Sequence, residues 1–189
     1  MTAANRPGGT MRIIGIDPGS RATGYGVVDL EGQDLLHVAH GVIRVPSSMA
    51  QAARLAKIHR ALAALVAEFE PQCAVIERVF LARNPKSAIV LGEARGAALA
   101  ALAGSGLDVE EMSAREVKQA VTGNGGASKS DVQAMVSRRL SLVSAPPSDA
   151  ADALAIAIGR SQAGRLAGLE IRRGRRRPRR LSDLARELS

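Results

Sequence analysis

Residues 11–16 form a short, almost unbroken apolar run, the pattern of a strand buried on both faces. A Gly-rich bend leads into a second apolar run at 24–30, and Glu31-Gly32-Gln33-Asp34 marks the next turn. Residues 35–45 alternate loosely, as a third strand would. Three strands joined by short turns predict an antiparallel meander. Across 48–69 the rhythm changes: Leu55, Ile58, Leu62, Leu65, Val66 and Phe69 recur at helical spacing. That helix must stop before Pro71.

A four-residue apolar strand at 73–76 ends on Glu77, and its helical crossover predicts a parallel neighbour. Residues 87–102 read as an alanine-dominated helix in which Gly92 and Gly96 allow close approach to another helix or to the sheet. A fifth strand covers 107–112. Ser113 with Glu116 makes a capping box for a short helix. The loop Thr122-Gly-Asn-Gly-Gly-Ala127 precedes an amphipathic helix at 130–142. Pro146-Pro147 and an N-capping Ser148 then open an Ala/Ile helix at 149–163. The order β-β-β-α-β-α-β-α-α-α predicts an α/β fold: a mixed five-stranded sheet, three antiparallel strands then two parallel, flanked by helices.

Composition sharpens this picture at three points. Apolar residues make up 46% of the chain but aromatics only 2%, so Ala, Leu, Val and Ile must fill the core. The single Cys73 excludes an intramolecular disulfide framework and a Cys-rich zinc site, which fits a reducing cytoplasm. No apolar run reaches about 18 residues, so no membrane span is expected. The net charge of +8 is unevenly placed. Residues 1–159 hold 16 Lys and Arg against 15 acids, while residues 160–189 hold 10 Arg against 3 acids. The expected organisation is a disordered leader at 1–10, one domain at 11–164 and an Arg-rich arm at 165–189 suited to polyanions.

The candidate chemistry is acidic. Asp17 and Glu77 each end an apolar run, and Asp149 and Asp152 lie three apart in the first turn of the last helix. Each has a bland local explanation. Asp17 can accept hydrogen bonds from its own Pro-Gly turn. Glu77 can pair with Arg78. The two helical acids can complement the helix dipole. If the tips of the first and fourth strands are adjacent, however, the four carboxylates offer oxygen ligands for two Mg²⁺ ions, with Mn²⁺ as an alternative. Two such ions suit phosphodiester hydrolysis. Lys118 and Lys129 are candidate phosphate contacts, and Phe80 is a candidate for base stacking as much as for the core. His37, His40 and His59 lack metal-ligand spacing and read as solvated or core histidines.

The segments Ile14-Gly-Ile-Asp-Pro-Gly-Ser-Arg-Ala-Thr-Gly-Tyr-Gly-Val27, Ala74-Val-Ile-Glu-Arg-Val-Phe80, Leu91-Gly-Glu-Ala-Arg-Gly96 and Ser148-Asp-Ala-Ala-Asp-Ala-Leu-Ala-Ile-Ala157 resemble the RuvC family of bacterial Holliday junction resolvases. The resemblance spans residues 11–163 and implies a ribonuclease-H-like fold. It assigns Asp17, Glu77, Asp149 and Asp152 as the catalytic, metal-binding acids. It makes Lys118 and Lys129 DNA contacts and Phe80 a stacking residue. It further implies a cytoplasmic homodimer that cuts opposed strands of a four-way junction, leaving 5′-phosphate and 3′-hydroxyl ends, and that works with the RuvA–RuvB branch-migration complex. Asp17-Pro-Gly-Ser is also similar to the first phosphate loop of the actin-like ATPases, whose two lobes 189 residues cannot supply. A catalytically silent junction-binding module is the other alternative.

Overall fold

Strand alternation decides which layer each side chain joins. In the computed structural model, which describes residues 9–78 and 85–173, the chain runs β1 (Met11–Asp17), β2 (Ala22–Glu31), β3 (Asp34–Arg44), α1 (Gln51–Phe69), β4 (Cys73–Glu77), α2 (Pro85–Gly104), β5 (Asp108–Met112), α3 (Ala114–Thr122), α4 (Lys129–Arg139) and α5 (Ser148–Arg173). The sheet order is β3-β2-β1-β4-β5. β1 pairs antiparallel with β2, and β2 with β3. β4 joins β1 and β5 in parallel. The mixed sheet expected from the order of apolar runs is the sheet observed.

Two cores sandwich it. Ile14, Ile16, Val27, Ala74 and Ile76 face α1 and α2, meeting Ile58, Leu62, Ala98 and Leu102. Ile13, Val28, Cys73 and Val75 face the other way, toward Leu154, Ile158 and the inner faces of α3 and α4. Fully burying one such Leu or Ile contributes roughly 1.5–3 kcal/mol.

The N-terminal part of α5 is buried on nearly all sides: Ala150, Ala151 and every residue from Ala153 to Ile158 are inaccessible. Small residues let it lie directly on β1 and β2. A Cβ built on Gly15 would overlap the carbonyl oxygen of Ala153, and one on Gly24 would overlap that of Asp149. Any side chain at those positions forces the helix off the sheet.

Several boundaries differ from expectation. The last helix runs to Arg173, ten residues beyond the predicted end, because no proline or turn signal interrupts it before Pro178. Its first i to i−4 bond runs from the Ala151 amide to the Pro147 carbonyl, so Ser148 lies inside the helix rather than capping it. Ser113 forms the expected box with Glu116, and Ser128 forms a second with Asp131 that opens α4. Helix α2 is apolar and long enough to cross a membrane, contrary to the run-length expectation. Its Ala94, Ala98, Ala101 and Leu102 are nevertheless buried in the globule, and its Glu93 accepts a 2.6 Å hydrogen bond from Gln51 of α1.

Candidate active site

Parity and register bring the acids together. On β1, Ile13 and Gly15 point toward α5, so Asp17, two further on, shares that face. On β4 the same alternation sends Cys73, Val75 and therefore Glu77 to the α5 side. Ile16 pairs with Ile76 in the parallel ladder, which puts Asp17 and Glu77 at neighbouring strand tips. Asp17 also pairs with Gly24, and the missing side chain of Gly24 is filled by the backbone of Asp149. That contact seats the first turn of α5 beside Asp17. Thr23, fully buried, fastens the intervening loop by donating to the Gly19 carbonyl at 3.1 Å, and Arg54 of α1 donates to the Ser20 carbonyl.

The grouping is electrostatically costly. Burial first, and then the charges of Glu77, Asp152 and Asp149, together push the Asp17 carboxyl up to about 7, against a lowering contribution from Lys129. Glu77 is also raised, first by burial and then by Asp152, with Lys129 again opposing. Lys129 is thus the cation offsetting the repulsion, and its ammonium donates to Asp152 Oδ2 at 2.6 Å. That hydrogen bond to Asp152 holds the Lys129 ammonium above its usual range.

Arg78 is not the partner of Glu77. It turns to Glu111, 3.6 Å away, while its amide donates to the Met112 carbonyl. Arg95 of α2 instead donates to the Glu77 carbonyl at 3.2 Å and pairs with Glu111 at 2.8 Å. Sequence reasoning missed this role for Arg95, since nothing local links residues 77, 95 and 111. The histidine reading needs a correction of detail as well. His37 pairs with Val28 and Ala39 with Val27, so Val38 is an extra residue in the ladder. The bulge turns His37 and His40 to one face, where their Nε2 and Nδ1 atoms lie 2.8 Å apart.

A cleft of about 300 Å³ opens beside the acids, lined by Glu77, Asp152, Lys118 and Lys129 over Val117, Val132 and Ile156. Both candidate lysines therefore reach the same depression. Phe80 lies outside the described residues.

Four carboxylates, Asp17 buried among the other three, fit a divalent cation, which would relieve their repulsion. The ring is open in this structure. Among the described residues no three His, Cys, Asp or Glu side chains converge closely enough to enclose an ion.

A mixed sheet in this order, with carboxylates at the tips of its first and fourth strands and on the helix crossing them, defines the ribonuclease-H-like class of nucleases. The particular family follows from comparison. Residues 13–160 match the family model described as crossover junction endodeoxyribonuclease RuvC, and the chain belongs to that family. Crossover junction endodeoxyribonuclease RuvC of Neisseria meningitidis serogroup C is 47% identical over 173 residues, covering 88% of this chain and 97% of the relative. The Marinobacter nauticus protein of the same description is 55% identical over 146 residues, or 77% of this chain and 83% of that one. The structure of T. thermophilus RuvC in complex with Holliday junction substrate superposes with a TM-score of 0.79 at 34% identity, covering 83% of this chain and 96% of the other.

Proposed function

We propose that this protein is a Holliday junction resolvase of recombination and repair that hydrolyses phosphodiesters on opposed strands of a four-way DNA junction, leaving 5′-phosphate and 3′-hydroxyl ends. The observation that carries the reading is the seating of Asp149 and Asp152 against the tips bearing Asp17 and Glu77, through the Gly24 contact. These four acids are the catalytic set and would hold two Mg²⁺ ions, with Mn²⁺ able to substitute. When bound, such ions lower the pKa of water and stabilise charge on the leaving oxygen.

The chain's own residues do the rest. Asp17 must shed its proton near neutral pH before it can serve as a ligand. Lys118 and Lys129 hold backbone phosphates over the cleft, fixing the strand without reading its sequence. Phe80 stacks on a base near the branch point.

Paired cuts on a near-twofold junction call for a twofold enzyme, and α2 supplies a suitable face. Ile89 is 64% exposed there, and Gly92 and Gly96 have nothing within 4 Å of where a Cβ would stand. Among the described residues neither approaches another part of its own chain, which favours a second copy of α2 as the neighbour their size suits. That homodimer would act in the cytoplasm with the RuvA–RuvB branch-migration complex, as the sequence resemblance implies.

The decisive experiment compares cleavage of a synthetic four-way junction with a matched linear duplex in Mg²⁺. Selective, paired nicking of the junction is expected. Asp17→Asn should reduce it by at least about a thousandfold while leaving junction binding in place. Equal cutting of both substrates would leave only a generic nuclease.

A further inference from the structure

Lys129 occupies two sites at once. Its backbone is anchored: the Ser128 hydroxyl accepts from the Asp131 amide at 3.2 Å, the Asp131 carboxylate accepts from the Ser128 amide at 3.1 Å, and Val132 and Val136 pin α4 into the core beside α5. Its side chain is the reverse, 61% exposed. The ammonium crosses to α5 and sits on Asp152 Oδ2 at 2.6 Å. It also lines the cleft that Lys118 shares. Lys118 differs, because among the described residues its ammonium makes no ion pair with a carboxylate.

An ammonium at 2.6 Å from Asp152 Oδ2 and a divalent cation on the same carboxylate repel each other at close range, so each weakens the other's hold on it. We propose that Lys129 is an exchangeable counter-ion, holding Asp152 until a divalent cation takes it and then passing to a phosphate of the DNA strand in the cleft. The inference rests on the metal-dependent reading given above. It makes one side chain the link between two binding events. A cation that displaces Lys129 frees an ammonium for DNA, and DNA that captures Lys129 frees a carboxylate for the cation. Linkage requires the two effects to be equal in size.

The sign of the test is unusual, because removing a lysine should improve metal binding. Mn²⁺ binding to the purified, DNA-free full chain can be read by electron paramagnetic resonance. Lys129→Met should tighten it roughly three- to tenfold, the scale of a lost exposed competitor. Lys118→Met, which removes the same charge from the same cleft, should change it less than about twofold, and Lys129→Arg should restore the wild-type value. Affinity for a four-way junction with phosphorothioate linkages at its centre, measured with and without Mn²⁺, should show a smaller metal-induced gain in Lys129→Met than in wild type. Unchanged or weaker Mn²⁺ binding in Lys129→Met would overturn the proposal. So would equal tightening by both lysine variants, which would reduce the effect to general charge. Thermal melting monitors folding of each variant. Failure of the wild type to cut junctions would sink the resolvase reading alone, since the Mn²⁺ measurements need no cleavage.

Discussion

Asp17 is held in two unfavourable settings together, away from water and among like charges. The consequence for stability has a definite sign. Its folded pKa of about 7 stands above the ordinary 3.8, so between those values the folded chain keeps a proton that the unfolded chain releases. Metal-free protein therefore loses stability as pH rises from about 4 through 7. Glu77 adds to the loss in the same direction. Asp17→Asn, which cannot ionise, should flatten that slope and melt higher than wild type at pH 8 without metal. A pair of melting-temperature profiles against pH checks it, and parallel profiles would show that Asp17 is not so confined. Gly24 tests the same site through geometry. Gly24→Ala should cost about 1–3 kcal/mol by overpacking against the Asp149 carbonyl and should also weaken Mn²⁺ binding. Gly41→Ala crowds the Tyr25 ring on the opposite sheet face, and should lower the melting temperature alone.

Among the elements, α2 and α5 divide the labour. Helix α5 brings acids to the strand tips, and α2 holds the Glu77 strand end through Arg95 while presenting a face of small residues outward. Gly96→Arg should raise the dimer dissociation constant about tenfold or more, read by analytical ultracentrifugation, and convert paired cutting into single nicks. Element types and their order were legible in the sequence because hydrophobic period is a local property. The four acids were legible for a related reason, as each stands where an apolar run starts or stops. What sequence could not supply were relations between distant residues. The tie of Arg95 to residues 77 and 111 needs the crossover of α2, and the pairing of His37 with His40 needs a bulge that no turn residue announces. In the sequence Lys129 stood out as a candidate phosphate contact but not as the partner of Asp152, twenty-three residues away.

For the whole molecule, charge is separated from chemistry. Residues 174–189 carry six arginines against two acids, while the folded body is close to neutral. Deleting 174–189 should lower the slope of log affinity against log salt by as much as about 5, with junction cleavage at saturating protein retained. An unchanged slope, measured by fluorescence anisotropy across a salt series, would mean that the segment does not touch DNA.

The central place of α5 also has a consequence for how the protein comes into being. Two of the four proposed site acids lie in the first turn of the final helix, and Leu154 and Ile158 of that helix complete the core. Synthesis proceeds from the N-terminus, so Asp17 and Glu77 leave the ribosome long before their partners exist. A chain interrupted anywhere before residue 148 lacks both Asp149 and Asp152 and one layer of its packing. On the proposed four-acid set, a copy that stops before residue 148 has no means of cutting DNA, and that means arrives with the last helix.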